Sequence, residues 1–425
     1  MIKKFIYIGS LALVLSLTIS FNRAAADYYP EVGSVYHGFW NYQSDDERSR
    51  ALDSLKSAGG TWLRIDIGWA SVEESKDVYS PWSLNRYDSV INDAHDKGFK
   101  ILLVVKDTPD WAHDTSDTRV PPDDSNELGE FMKDLSIRYS GKVQAMEIWN
   151  EPNNPEFFKA KQAGNEAEEF FDMATTAYEW VKNLGDNSMT VFPGGSSYVD
   201  DEWWQQLYEL GIKDFSDIIA LNPYMGRSDE SPLEPDQGNK WRLQHLPTLI
   251  NLMNTYGDED KPIWFTEIGW SVHEDYSEEN WLQPVTEENQ ALYLRQALDL
   301  VKDSYPQVSN VFWYNLRSRA NDQVHANNFG LLNYDLSERL AMTTMRSMLT
   351  ANAQPPVDPD QGNGDNGNSS DTAVNIVDNG ASDTSDNQME SQGRLADTGS
   401  SAYQLSFLGL TVSLLGAAMV YNRQR

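Results

Sequence analysis

The chain has 425 residues, Lys+Arg 33 against Asp+Glu 65 for a formal net charge of −32, and no cysteine. So large an acidic excess argues against nucleic-acid binding and polybasic membrane docking, and zero cysteine excludes disulfides, thiolate metal sites and cysteine nucleophiles. The 40% apolar content and 14 Trp suffice for a sizeable core, in two or three domains or in one large α/β barrel with appendages.

Residues 1–26 open with Lys3 and Lys4, continue through an uncharged apolar run of 17 residues from Phe5 to Phe21, and close on Ala24-Ala25-Ala26. That order is the grammar of a secretory signal peptide, with cleavage expected after Ala26 and an uncleaved anchor as the alternative.

From residue 27 to 351 short β-rich runs alternate with helical periods, in eight pairs. The expected strands are Ser34–His37, Trp62–Ile67, Lys100–Val105, Ala145–Trp149, Thr190–Phe192, Ile218–Leu221, Ile263–Thr266 and Val311–Tyr314. Ser44 to Glu47 reads as a capping box for a helix that ends at Gly59-Gly60, and Asn165 and Thr286 read as N-caps of helices running to Leu184 and Val301. Strands rich in Val, Ile and Leu that alternate with helices imply a parallel sheet covered on both faces. Eight units in about 325 residues suit an α/β fold of the (β/α)8 TIM-barrel type with enlarged loops. An open doubly wound sheet is the rival, but no G-x-G-x-x-G or Walker sequence follows the first strand.

Residues 352–394 hold eight acidic residues, one basic residue and no Phe, Trp or Tyr, so this acidic linker is expected to stay disordered. As a flexible coil it would span roughly 35–40 Å. Next come Leu395-Ala396-Asp397-Thr398-Gly399, nineteen uncharged residues from Tyr403 to Tyr421, and a tail carrying Arg423 and Arg425. The apolar run matches a membrane-crossing helix with its basic tail on the cytoplasmic side. Pentapeptide, helix and tail over 395–425 resemble the wall-sorting signal of Gram-positive surface proteins, in its L-A-x-T-G variant, with Ala396 where proline is usual. The resemblance implies that a sortase cuts between Thr398 and Gly399. A plain single-span anchor is the alternative. In both cases the catalytic region would be extracellular, held to a cell wall or membrane, and would meet membrane only through the C-terminal helix.

Barrel enzymes carry their chemistry on the loops that leave the C-terminal ends of the strands. Strand 4 ends in Trp149-Asn150-Glu151-Pro152-Asn153 and strand 7 in Thr266-Glu267-Ile268-Gly269-Trp270. Each Glu alone could be a loop carboxylate or a helix cap. Strands 4 and 7 of a closed eight-stranded barrel face each other across the mouth, so carboxylates 116 residues apart meet in one cleft. Cleavage of a glycosidic bond needs such a pair, one to protonate the leaving oxygen and one to attack the anomeric carbon or activate water.

The W-N-E-P-N of residues 149–153 and the W-F-T-E-I-G-W of residues 264–270 resemble the signatures of clan A (4/7) retaining glycoside hydrolases, closest to bacterial proteins related to families 39 and 5. The resemblance covers about 320 residues. It implies Glu151 as general acid/base, Glu267 as nucleophile, Asn150 on the sugar 2-hydroxyl, Arg64 beneath the nucleophile, Tyr224 hydrogen-bonded to it, and Trp313 as the floor under the sugar. Asn222 stands where relatives often carry histidine. The carboxyl groups are expected about 5–5.5 Å apart. Glu267 is expected to be ionised, with Glu151 protonated because it is less compensated.

Trp69, Trp111, Trp270 and Trp281 follow strand ends and suit either sugar stacking or packing under loops; Trp111 is carried forward as a substrate-binding candidate. Trp203-Trp204 reads as core. Of the six histidines only His37 and His113 fall near strand ends, and none has tight metal-ligand spacing. Asp114 to Asp124 could hold calcium, although solvated charge is the ordinary reading. The reading is therefore an exported, envelope-attached glycosidase acting on a β-linked carbohydrate, without metal or cofactor and with a monomeric catalytic domain. Alternatives are a transglycosylase and a non-catalytic carbohydrate-binding barrel.

Overall fold

The apolar runs marked out above form one parallel sheet in a computed structural model that describes residues 28–40 and 43–350. The expected signal peptide, the acidic linker and the sorting signal with Thr398 and Gly399 lie outside the described residues. Among the described residues no helix is long and apolar enough to cross a membrane.

The strands are β1 (Glu31–Val35), β2 (Trp62–Gly68), β3 (Lys100–Lys106), β4 (Ala145–Ile148), β5 (Thr190–Pro193), β6 (Ile219–Asn222), β7 (Ile263–Ile268) and β8 (Val308–Trp313). Neighbours pair in parallel from β1 to β5 and from β6 to β8, and β8 returns to pair with β1. Between β5 and β6 the ladder passes through Ser196–Ser197, which continue β5 beyond Gly194-Gly195 and pair with Leu221 and Asn222. The sheet thus closes on itself as a (β/α)8 barrel.

Helices α1 (Asp45–Ser57), α2 (Pro81–Asp96), α3 (Ser125–Arg138), α4 (Glu166–Leu184), α5 (Asp201–Leu210), α6 (Leu246–Thr255), α7 (Glu287–Ser304) and α8 (Leu340–Thr350) each follow one strand. The capping box of α1 forms, with Ser44 accepting from the Glu47 N–H and Glu47 accepting from the Ser44 N–H at 2.9 Å. Thr286 caps α7 through the Asn289 N–H. Asn165 does not cap α4 with its side chain. The acidic first turn bonds the incoming loop instead, with Glu166 accepting from the Gly164 N–H and Glu169 from the N–H groups of Lys161 and Gln162.

Strands β1 and β8 each begin three residues before the expected Ser34 and Val311. Their polar openings are satisfied at the bottom rim, where Glu31 pairs with Lys100 at 2.6 Å and Glu31 and Asn310 lie in register.

Successive strand residues point to opposite faces, so positions two apart share the barrel interior. The lower interior is a plug of Trp62, Leu102, Ala145, Phe192, Ala220, Trp264 and Phe312, closed below by Ile218. Its rings meet edge to face, Trp62 against Trp264 at 5.0 Å and Phe192 against Trp264 at 5.5 Å. Two residues further along the same strands the interior becomes polar, with Arg64, Glu147, Asn222 and Thr266.

Candidate active site

Arg64 is fully buried at the centre of that polar layer. Its Nε donates to Glu147 at 2.8 Å, one terminal nitrogen meets Glu267 at 2.5 Å, and the other donates to Asn150 at 2.7 Å. Asp66 lies 3.5 Å away on the strand that carries the arginine. A buried guanidinium needs such pairing, because an unpaired charge in low dielectric costs several kcal/mol. The Arg64–Asp66 pair is the longest contact of this network. Glu147 also accepts from the Gly195 N–H at 2.9 Å. A Cβ on Gly195 would lie 2.4 Å from the Thr266 hydroxyl, so this close crossing of β5 over the mouth requires glycine.

Strict alternation would point Glu267 away from the mouth, since Trp264 and Thr266 already face inward. The pairing of β7 with β8 shifts register between Phe265 and Ile268. An extra residue of this kind re-aims a side chain, and here it brings Glu267 to Arg64. Tyr224, two residues beyond β6, donates its hydroxyl to Glu267 at 2.9 Å. On the opposite side, Trp149 and Glu151 have φ of 73° and 47°, the left-handed region that side chains adopt when surrounding structure fixes them, often at functional sites. Glu151 then accepts from Asn222 at 2.9 Å, from Asn154 at 3.2 Å and from the Ser197 hydroxyl.

Burial pushes Glu267 up to about 8; Arg64 and the Tyr224 hydroxyl oppose the rise, and the charges of Glu151 and Asp66 add to it. Burial also raises Glu151, against its hydrogen bonds to Ser197, Asn222 and Asn154 and the more distant charge of Arg64. Burial shifts both carboxyls upward and they titrate as a coupled pair. Their partners differ: Glu267 touches a cation, whereas the groups that touch Glu151 are all neutral, which favours the ionised form at Glu267. The sequence argument treated Glu151 as poorly compensated. Three side-chain donors correct that, and Arg64 is divided among Glu147, Glu267 and Asp66, so the bias between the carboxyls is smaller than expected.

Arg64, Asn150, Glu151, Tyr224 and Glu267 are thus brought together. Trp313 and Trp111 are not. Trp313 is 2% exposed, packs on Trp270 with centroids 5.8 Å apart and donates its indole N–H to the Phe329 carbonyl. Alternation explains the correction: Phe312 faces the barrel interior, Trp313 faces the helices, and Tyr314 faces inward again. The Tyr314 ring stands edge to face with Tyr224 at 6.3 Å and with His37 at 5.8 Å, beside the Glu267 partner. Trp111 packs edge-on against Trp69 and donates to the Glu73 carbonyl, under a loop.

Other expectations sort in the same way. Trp69, Trp270, Trp203 and Trp204 are buried. His37 is stacked on Trp40 at 4.4 Å, and burial lowers its pKa to about 3, so it is neutral. His113 accepts from the Thr115 N–H within its own loop. In the acidic stretch Asp117 pairs with Arg119, Asp123 with Lys161, and Asp124 caps α3. No group of three or more potential metal ligands occurs among the described residues.

Sequence reasoning missed Glu147, Ser197, Asn154 and Tyr314. Glu147 was legible as a charge inside an apolar strand, two residues from inward Ala145. Ser197 and Asn154 left no signal beyond a position near a strand end. Asn222, noted only as a departure, holds Glu151 with its amide nitrogen while its oxygen accepts from Thr266 at 2.8 Å.

Residues 29–316 match the family model Cellulase (glycosyl hydrolase family 5). No curated protein matches the chain. Among solved structures it is similar to a family 39 glycoside hydrolase from Bacteroides cellulosilyticus WH2, at 21% identity and TM-score 0.57, with 76% of this chain and 64% of that one covered. It is also similar to GH5_18 from Streptomyces cattleya in complex with GlcNAc, at 15% identity and TM-score 0.59, covering 77% and 82%. A third is the GH39 enzyme from Xanthomonas axonopodis pv. citri, at 15% identity and TM-score 0.55, covering 77% and 68%. The chain spans less than two thirds of the Bacteroides protein. At these identities the likeness is one of fold.

Proposed function

Since the chain belongs to glycosyl hydrolase family 5 and so is a glycosidase, we propose that it cleaves β-linked glycosides by double displacement with retention. The observation that carries this reading is the unequal setting of the two mouth carboxyls: Glu267 lies 2.5 Å from Arg64, and Glu151 is held by neutral donors. Glu267 attacks the anomeric carbon as Glu151 gives its proton to the leaving oxygen. Glu151, now a base, takes a proton from water as that water displaces Glu267. Asn150, fixed by Arg64, is placed for the sugar 2-hydroxyl, whose hydrogen bonds tighten as oxocarbenium character develops. Tyr224 holds the nucleophile, and Tyr314 takes the role expected of Trp313 as the ring beside the reacting sugar.

Azide rescue tests the roles. Glu151→Ala should keep the first step on substrates with good leaving groups, and azide should restore the second by entering from the vacated side. Azide rescue that instead belonged to Glu267→Ala with retention would reverse the assignment.

We propose further that the protein is exported through residues 1–26 and attached through Leu395 to Gly399, with a sortase as partner. The ordered grammar of both termini supports this. Thr398→Ala should move the protein from the wall to the membrane fraction; native protein that keeps residues 403–421 would leave a single-span anchor.

A further inference from the structure

Among the described residues three side chains donate to Glu151, and its two oxygens do not share them evenly. Oε1 takes one, the Asn222 amide at 2.9 Å. Oε2 takes two, the Ser197 hydroxyl and the Asn154 amide at 3.2 Å. An ionised carboxylate offers about two lone-pair sites on each oxygen, so Oε2 is filled while Oε1 keeps one site open. A carboxyl proton needs such a site, and Oε1 has it.

The open site is on the side of the nucleophile. The Asn222 nitrogen that holds Oε1 lies 3.4 Å from the Asn150 oxygen, which accepts at 2.7 Å from Arg64, the cation that meets Glu267. Oε2 is instead held by the continuation of β5 and by the loop after β4. The surrounding bonds fix both amides in this sense: the Asn222 oxygen accepts from Thr266 at 2.8 Å and the Asn154 oxygen from the Glu156 N–H at 3.1 Å, so both nitrogens are turned to Glu151.

Ser197 is itself clamped. Asn153 accepts from the Ser197 N–H at 2.8 Å and donates to its carbonyl at 3.1 Å. The same Asn153 amide donates at 2.7 Å to buried Asp200, which Lys240 neutralises at 2.5 Å. Asn154 donates to the Ser197 hydroxyl oxygen at 3.1 Å, which leaves the hydroxyl hydrogen for Glu151. Ser197 stands in register with Asn222, and the Glu151 N–H donates to the Gly195 carbonyl at 3.1 Å, so the acid is held on this edge by backbone and side chain together. The charges that act on Glu151 are Arg64 from β2, shared with Asp66 and Glu147, and Glu267 from β7. Tyr198 and Tyr224 beside it are raised by burial first and by carboxylate charge, and both stay neutral.

Resting on the glycosidase reading, we propose that Ser197 is the positioning residue of the acid/base: with Asn154 it fills Oε2 of Glu151 and confines the transferable proton to Oε1. In the first step that proton passes from Oε1 to the glycosidic oxygen as the bond from that oxygen to the anomeric carbon breaks. In the second, Oε1 takes a proton from water as the water oxygen bonds to that carbon and Glu267 leaves it. Without Ser197 the proton also settles on Oε2, away from the reacting oxygen, and the ionised carboxylate loses a charge-assisted donor.

The test uses leaving groups that do and do not need the acid. The glycone is fixed as the one turned over fastest among 4-nitrophenyl β-glycosides of glucose, mannose, xylose and galactose and of their β-1,4-linked disaccharides. In Ser197→Ala, kcat/KM for the phenyl glycoside, which needs a proton, should fall roughly tenfold, while kcat/KM for the 2,4-dinitrophenyl glycoside, which does not, should hold within about twofold. On the dinitrophenyl substrate kcat and KM should fall together by roughly tenfold, because base-assisted release of the glycosyl-enzyme is slowed. The high-pH limb of kcat/KM for the phenyl glycoside should move up by about one pH unit, since the lost donor favoured the ionised form. Ser197→Thr, which keeps the hydroxyl, should restore both the rates and the limb. Equal losses in kcat/KM on the two substrates, or a limb that stays where it is in wild type, would overturn the role of Ser197 alone. No turnover of any of the glycosides by wild type would overturn the glycosidase reading and this role with it.

Discussion

The barrel interior has two storeys built by one alternation. The lower storey carries Trp62, Ala145, Ala220, Trp264 and Phe312, and two residues further on the same strands carry Arg64, Glu147, Asn222, Thr266 and Tyr314. The lower rings remove apolar surface from water and stabilise the fold. The upper layer buries a cation among carboxylates, an arrangement that costs desolvation and is weak evidence for stability. The difference teaches that identical strand geometry supplies the core at one height and the chemistry at the next, and that the second storey is tolerated only because Arg64 is shared.

Substitutions at the two heights should therefore separate. The largest effect is expected from Glu267→Ala, which should lower kcat by about 10⁴-fold or more while the protein stays folded; wild-type turnover in this variant would end the assignment. Trp264→Ala, one storey down, should cost about 3–5 kcal/mol in denaturant unfolding, and a near-neutral result would mean that the plug does not carry the fold. Asn150→Ala should lower kcat by roughly 10²-fold and raise KM less. An unchanged kcat would remove it from the site.

A pH experiment sharpens the contrast. Burial raises both Glu267 and Glu151, so the folded protein binds the proton of this coupled pair more tightly than the unfolded chain does. The pair's contribution to stability is full below about 4.5 and is lost as pH rises towards about 8. Glu267→Gln should flatten that slope and melt about 4 °C or more above wild type at pH 8; a parallel pair of curves would show that the upper storey carries no such cost. Smallest is the comparison of caps. Thr286→Ala should cost about 1 kcal/mol, and Asn165→Ala, whose side chain caps nothing, should cost measurably less.

What could be read in the sequence follows from these storeys. The apolar alternation gave all eight strands, and five of the expected site residues, Arg64, Asn150, Glu151, Tyr224 and Glu267, converge. Trp313 was misplaced because its motif was read without counting inward positions from Phe312. The turn of Glu267 into the mouth depends on a register shift between two strands, which one strand's pattern does not encode. Asn222 and Ser197 became visible only once β5 and β6 were side by side, since their contact with Glu151 joins residues 71 and 46 positions apart.

The central claim, that Glu267 is the nucleophile, is tested most directly by covalent capture. The protein should be incubated with 2-deoxy-2-fluoro β-glycosides of the glycone it turns over, then digested and mapped by mass spectrometry. The account predicts one fluoroglycosyl group per chain, on the peptide that contains Glu267, and its loss when an acceptor restores turnover. A label on Glu151, or no label together with product of inverted anomeric configuration, would contradict it.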